Sequence, residues 1–302
     1  MSEIVYKHRE TGELKKEKVY GKIFLEAVYG TNVFAKLFSL LVLPLISHVP
    51  LFSQLYGKRQ KSKKSREKIA PFVKAYGVDV SEFEKPLSRF VSFNDFFIRK
   101  LKPESRPITP GDKVAILPAD GRYLVFPKLS ESEGFYVKNK KFDLRRLLQD
   151  EFLFELYKRG SLVIARLCPT DYHRFHFPFE CLPSKPKLIN GPLYSVNPIA
   201  LREHINILNE NKRMFTELQT KNFGKVLYIE VGATCVGSIQ NTFQPNTPYK
   251  KGAEKGYFEF GGSCLLLLFQ PNTITFDLDL VEASAQHIET RAKFGTRLGS
   301  CK

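Results

Sequence analysis

The sequence predicts an α+β protein: a β-rich antiparallel core with flanking helices, preceded by an N-terminal apolar helical arm that associates with a membrane. Three observations carry that expectation. Residues 23–56 are dense in apolar and aromatic side chains and include VFAKLFSLLVLPLISHVPLF at 33–52. A basic run, KRQKSKKSREK at 58–68, follows directly. From about residue 80, short β-branched or alternating stretches separated by turn residues take over, the pattern of strands rather than of long helices.

The arm comes first. Its apolar stretch has about the length needed to cross a bilayer, but Lys36, Pro44, His48 and Pro50 interrupt it. A central proline removes a backbone donor, and a lone helix in lipid has few groups with which to replace that hydrogen bond. The expectation is two short apolar helices lying in, or dipping into, one leaflet; an ordinary helix pair in a protein core is the competing reading. The run at 58–68 has seven basic residues and one acidic. Alone it would be a solvated face. Beside an apolar segment it reads as a patch for anionic headgroups, worth about 1 kcal/mol per Lys or Arg near the surface. The net charge of +16 also asks for an anionic partner. Nucleic acid is not expected, because the aromatic residues nearby sit among aliphatic ones and are not interleaved with the basic ones as stacking platforms. The division expected is a membrane-associating region at 1–90 and a catalytic domain at 91–302.

In that domain Ser92 and Asp95 resemble a capping box opening a helix over FNDFFIRKL. FDLRRLLQDEFLFELYKRG at 142–160 has helical periodicity and a glycine stop. Strands are expected at 114–126, 161–168, 226–239 and 273–280. An apolar fraction of 43% over 302 residues supports a sizeable core. Five cysteines, an odd number without close pairs, read as reduced thiols: Cys168, Cys181, Cys235, Cys264 and Cys301. The N-terminal MSEIVYKHRETGELKKEK has no apolar signal segment.

Candidate chemistry sits in a few places. His173 and His176, two of only six histidines, lie in CPTDYHRFHFPFEC between prolines. In an extended segment residues three apart face opposite sides, so the pair is expected to do two jobs. A metal set of Cys168, His173, His176 and Cys181 does not have zinc spacing, and no metal is expected; two structural histidines remain the plain alternative. PADGR at 118–122 reads first as a hairpin turn. In VGATCVGSI at 231–239, small residues allow close packing or a backbone-lined pocket. FGGSCLLLLF at 260–269 is the odd one. A buried strand explains its apolar run but not Gly261, Gly262 and Ser263 ahead of it. A serine needs a base, and the base an orienting group; Asp120, His176 and Ser263 supply one of each. A hydroxyl after a flexible Gly-Gly is placed to attack the preceding carbonyl, which would cut the chain at Gly262–Ser263 through an ester and leave a new N-terminal group.

These residues carry a family resemblance. SFNDFFIRKLKPESRPI, PADGR, CPTDYHRFHFP, GPLYSVNP, VGATCVGSI and KGYFEFGGS occur in one order from residue 92 to 263, and together they resemble the phosphatidylserine decarboxylase proenzymes. The resemblance implies a carboxy-lyase that cuts itself before Ser263 into a β chain of 1–262 and an α chain of 263–302. Ser263 would become a covalent pyruvoyl cofactor. Asp120, His176 and Ser263 would form the self-cleavage triad, and His173 would handle a proton in decarboxylation. Phosphatidylserine would bind as a Schiff base and leave as phosphatidylethanolamine. The expected partners are phosphatidylserine, an anionic membrane surface and the two chains of the proenzyme, with room for a homo-oligomer and none for nucleic acid. The expected location is the cytoplasmic side of the cell membrane, peripheral or monotopic. One departure from the family pattern is Cys264, where Ser or Thr is usual; a thiol there is a rival nucleophile. The alternatives are a pyruvoyl decarboxylase of another amine and a lipid-binding protein that is not cut.

Overall fold

In the computed structural model the described residues are 4–19, 21–29, 50–129, 135–137, 140–203, 206–233, 239–261 and 263–302. A ten-stranded sheet runs through the molecule. Near its middle lies the strand Ser263–Phe269, antiparallel to Lys225–Val231 on one side and to Ser161–Leu167 on the other. Gly121–Phe126, Glu289–Ala292, Val5–His8 and Leu14–Lys16 continue the sheet outward from Ser161–Leu167.

All seven residues of Ser263–Phe269 are buried, because both faces of the sheet are covered. Cys264, Leu266 and Leu268 pack on one face with Leu25, Val28, Leu147, Ala200 and Leu208 of the helical layer. Leu265, Leu267 and Phe269 pack on the other with Phe175, Phe177, Phe258 and Leu298. That second face is covered by two three-stranded sheets. One joins Ile239–Asn241, Glu254–Phe258 and Arg174–His176; the other joins Ile274–Phe276, Arg297–Cys301 and Val114–Ile116. A strand dry on both sides needs an unbroken apolar run, and each fully buried leucine contributes about 1.5–3 kcal/mol. The β-rich α+β core expected from the sequence is therefore present.

Four local expectations change. PADGR is not a hairpin: Val114–Ile116 and Gly121–Phe126 belong to different sheets, and the bend between them carries the chain from one layer to the next. Tyr123 pins that bend by donating to the carbonyl of Ala119 at 2.5 Å while its oxygen accepts from the Ala119 N–H at 3.2 Å. The 142–160 helix is two helices, Leu144–Leu148 and Glu151–Tyr157. Gln149 turns left-handed at φ 49°, and the Asp150 side chain caps the second helix by accepting from Leu153 N–H. The 273–280 strand stops at Phe276, and the helix Leu278–Ala285 follows Asp277. The N-terminal region is not only helical, since Val5–His8 and Leu14–Lys16 form a hairpin built into the main sheet.

Of the apolar arm, the helices Lys22–Tyr29 and Pro50–Lys61 are described, and residues 30–49 lie outside the described residues. No helix among the described residues is long and apolar enough to cross a membrane. The helix Phe93–Phe97 opens as expected at Ser92, whose hydroxyl accepts from Asp95 N–H at 3.1 Å. The Asp95 carboxylate returns one residue further back, to Val91 N–H at 3.0 Å.

Candidate active site

The segment between Glu254–Phe258 and Ser263–Phe269 crosses from a covering sheet to the main sheet. Its approach is clamped by two backbone bonds. Phe258 N–H donates to the carbonyl of His173 at 3.0 Å, and Phe260 N–H donates to Asn94 Oδ1 at 3.0 Å. Phe260 also packs against Phe93 and Phe97, with ring centroids 5.1 and 4.9 Å apart. Gly261 follows at φ 145°, a conformation that side-chain-bearing residues rarely adopt. Gly262 lies outside the described residues, as do positions 234–238 of VGATCVGSI.

Ser263 opens the strand opposite Leu167. It is fully buried, and its Oγ has no hydrogen-bond partner among the described residues. A buried hydroxyl left unpaired costs about 1–3 kcal/mol, so a native structure that keeps one calls for an explanation. Alternation sends Ser263 to the face of Leu265 and Leu267. Cys264 points to the opposite face, fully buried among the helices, and burial pushes its thiol up to about 12. It is neither a thiolate nor on the serine's side of the sheet, which removes the rival nucleophile.

His173 is also fully buried. Its Nδ1 lies 3.0 Å from the carbonyl of Asp171 and so carries the proton, which leaves Nε2 a bare acceptor with no partner among the described residues. Its ring lies 3.8 Å from that of Phe97. Burial lowers its pKa to about 3, so the ring is neutral near pH 7. His176 is likewise lowered to about 3, by burial first and then by Arg174. Its Nδ1 donates to the carbonyl of Gly252 at 3.0 Å, and Nε2 accepts from the Tyr172 hydroxyl at 3.2 Å. The two histidines therefore face different neighbours, each with a neutral Nε2 lone pair.

Asp120 is held elsewhere. Its carboxylate accepts from Arg106 Nε at 2.9 Å and Nη2 at 2.6 Å, and from Phe294 N–H at 2.8 Å. The Phe294 ring stacks on His176 at 3.7 Å, and His176 N–H donates to the carbonyl of Pro118. Asp120 and His176 are thus neighbours through Phe294, and no hydrogen bond joins Asp120 to His176 or His176 to Ser263 among the described residues. Hydrogen bonds of this kind are often long or unformed before the reacting state is reached. The same region of sequence contains residues that the motif reading passed over. Tyr172 donates to His176 Nε2, Arg106 neutralises Asp120, and Asn94 holds the chain ahead of Gly261. Arg106 was discoverable in principle, because a carboxylate in a buried turn needs a counter-ion.

The histidine loop itself rests on buried charge. Arg122 pairs with Asp171, whose carboxylate also accepts from Cys168 N–H at 2.7 Å. Burial alone would raise the Asp171 carboxyl; Arg122 and Arg291 outweigh it and hold it below the usual range. Arg166 pairs with Glu17 and with Glu289, each at 2.7 Å. No group of three or more His, Cys, Asp or Glu side chains converges as a metal site among the described residues.

Comparison with known proteins adds the family. The family model described as phosphatidylserine decarboxylase matches residues 93–300. A phosphatidylserine decarboxylase proenzyme of Chlamydia pneumoniae is 50% identical over 286 residues, covering 95% of each chain. A protein of the same name from Chlamydia muridarum is 48% identical over 301 residues, covering 98% of this chain and 97% of the relative. One from Chlamydia felis is 51% identical over 255 residues, covering 84% and 85%.

Proposed function

The chain belongs to the phosphatidylserine decarboxylase family, and from that premise we propose how its residues divide the work. It is a carboxy-lyase made as a proenzyme, and it converts phosphatidylserine to phosphatidylethanolamine. The observation that carries the residue assignment is the unpartnered, fully buried Ser263 Oγ immediately beyond a Gly-Gly pair whose first member has φ 145°.

In this reading Ser263 Oγ attacks the carbonyl carbon of Gly262. The C–N bond of that peptide breaks as the ester forms, and the amide nitrogen becomes the Ser263 amine. Loss of the Ser263 α-proton then expels the Gly262 carboxylate, and hydrolysis of the resulting enamine releases ammonia and leaves a pyruvoyl group on the chain 263–302. His176 Nε2 is the base for the hydroxyl, reached when the Tyr172 hydroxyl turns away. Asp120 and Arg106 fix Phe294 beneath the His176 ring. The pyruvoyl carbonyl supplies the electron sink for loss of carbon dioxide. His173 Nε2, neutral and unpartnered, holds or returns a proton there, and its Nδ1–H bond to Asp171 fixes the tautomer.

The site residues fit a group derived from Ser263 itself, since the main sheet grips both flanks of that strand and the clamps at Phe258 and Phe260 hold the other side of the cut. The helical arm serves the lipid. The basic side chains of Lys58 to Lys68 are exposed, and Lys61 pairs at 2.6 Å with Glu259, beside the cut segment. Tyr56 of the arm meets Phe260 at 5.9 Å. The arm therefore packs against the residue before Gly261 and presents exposed cations for anionic headgroups. This supports peripheral or monotopic association with an anionic membrane surface.

The test is intact mass spectrometry with borohydride trapping. The expected result is a fragment 263–302 with a reducible blocked N-terminus, and a single inactive chain for Ser263→Ala. A Ser263→Ala protein that is still cut and active would overturn the assignment.

A further inference from the structure

A cavity of about 440 Å³ opens beside the histidine loop, under the N-terminal hairpin and against the strand Glu289–Ala292. Asp120 and Tyr172 reach its wall, whereas Ser263, His173 and His176 do not line it. Strand register explains its charge. His8 pairs with Arg291, Arg291 with Arg122, and Arg122 with Arg166. Residues paired across strands project to the same face, so four basic side chains stand in one row. Like charges directly opposite are destabilising unless something compensates them.

The inner two are compensated. Arg166 has Glu17 and Glu289, and Arg122 has Asp171 and, at 3.2 Å, Glu17. The outer two have no such pair; Asp171 acts on Arg291, and Glu10 on His8, only through space. Among the described residues neither Arg291 nor His8 has a carboxylate at ion-pair distance, and His8 Nδ1 is buried without a partner. Burial and then Arg291 lower the His8 pKa, and Glu10 opposes them without reversing the shift. On another wall is Arg99, 4% exposed. Its Nη2 donates to the carbonyls of Thr170 and Asp171 at 2.9 and 3.0 Å, its Nε has no partner, and no carboxylate pairs with it among the described residues. Asp120, Asp171 and Glu82 act on Arg99 through space, but each is paired elsewhere, Asp120 with Arg106, Asp171 with Arg122 and Glu82 with Arg106 and Lys293, and Glu10 is paired with Lys293. A buried arginine without a direct ion pair, the unpaired outer end of the cation row, and walls with more Lys and Arg than Asp and Glu, around a space large enough for a small ligand, call for an anion.

We infer that this cavity binds a phosphate-bearing anion, held by Arg291 and Arg99 with His8 and Lys18 at its walls. The inference stands on charge and register and does not depend on the pyruvoyl reading. The phosphate comes either from the phosphodiester of a lipid headgroup or from free phosphate. Arginine is suited to both because its planar fork matches phosphate oxygens.

The experiment titrates inorganic phosphate into uncut Ser263→Ala protein by calorimetry at constant ionic strength, with His8 imidazole NMR as the local reporter. Saturable binding and a shifted His8 signal are expected. Arg291→Gln should weaken binding by about tenfold, the size of one charge-assisted hydrogen bond. Lys18→Gln, an exposed change that leaves the fold alone, should weaken it less and secures the test if the first variant folds poorly. No saturable binding beyond a matched chloride control, or both variants binding like the unaltered chain, overturns the site. The source is then read on mature enzyme acting on phosphatidylserine vesicles. If Arg291→Gln raises KM with kcat unchanged and phosphate competes, the occupant is the substrate headgroup. If KM is unchanged, the occupant is free phosphate.

Discussion

Replacing Lys255 by methionine perturbs the molecule where it joins the two sides of the proposed cut. Lys255 lies on Glu254–Phe258, which leads into the cut segment; Glu230 lies on Lys225–Val231, opposite Leu265 of the strand that Ser263 opens. Both are fully buried and paired. Lys255 Nζ also reaches Thr216 Oγ1 at 3.0 Å and Asn241 Oδ1 at 3.3 Å, and it lies 4.8 Å from the rings of Tyr228 and Phe243. Burial pushes the Lys255 pKa down and the Glu230 pKa up, and each is opposed by the other's charge. Glu230 Oε2 has no partner. Lys255→Met would strand a buried carboxylate at a cost of about 3–5 kcal/mol, whereas Lys255→Met with Glu230→Leu removes both desolvation costs and should be neutral or up to about 4 kcal/mol stabilising. Against a total stability of about 5–15 kcal/mol, the single change is severe and the double is not. Urea unfolding in the Ser263→Ala background measures this, with m constant so that midpoints compare directly. The double variant with Ser263 restored should also cut at the normal rate, while Lys255→Met matures slowly. A single variant costing under about 1 kcal/mol, or a double variant as unstable as the sum of its singles, would refute the reasoning.

Stability should fall between pH 7 and pH 5. His173 and His176 stand near 3 in the fold against 6.5 in the unfolded chain, so above 6.5 they cost nothing. Below it only the unfolded chain takes up protons, until the pH nears 3. Each then removes about 1.4 kcal/mol per pH unit, about 2 kcal/mol at pH 5. Urea midpoints should show the drop, His173→Gln with His176→Gln should flatten it, and a wild-type protein equally stable at both pH values would contradict the assigned protonation. Cys264→Ser should cut normally, and native Cys264 should resist alkylation; loss of cutting would return the thiol to the mechanism. Replacing the seven basic residues of 58–68 by glutamine should abolish most binding to anionic vesicles and spare the cut, and unchanged binding would place the membrane contact elsewhere.

The strands that build the core were legible because period and burial agree. Leu265 to Phe269 had to be covered on both faces, and each face has its own cluster. PADGR misled because a turn signal says that the chain bends but not which sheet the next strand joins. Tyr123 and the partners of Asp120 decide that, and they come from residues 106 and 294. The long helix failed at Gln149–Asp150, where a capping aspartate interrupts an otherwise continuous apolar period.

The sequence names candidate site residues but not their arrangement. Motif order named Asp120, His173, His176 and Ser263, yet motifs carry no tautomers and no counter-ions. What keeps the two histidines neutral is burial, and what orients their rings is the backbone: the Asp171 and Gly252 carbonyls, which any sequence would supply. The charges behind the loop are further hidden by distance along the chain. Glu17 reaches Arg166 across 149 positions, and Glu289 reaches it across 123 from the other end. Sheet register alone brings the termini together, with Val5–His8 parallel to Glu289–Ala292. The N-terminal hairpin therefore grips the segment that would become the α chain on the edge away from Ser263. A cut at Gly262 would break one covalent link while leaving the new chain held by Ser161–Leu167 and Lys225–Val231 along Ser263–Phe269, and by Gly121–Phe126 and Val5–His8 along Glu289–Ala292. A proenzyme that must sever its own backbone without losing its fold needs such a weave, in which the strand after the cut sits inside the sheet and not at its edge.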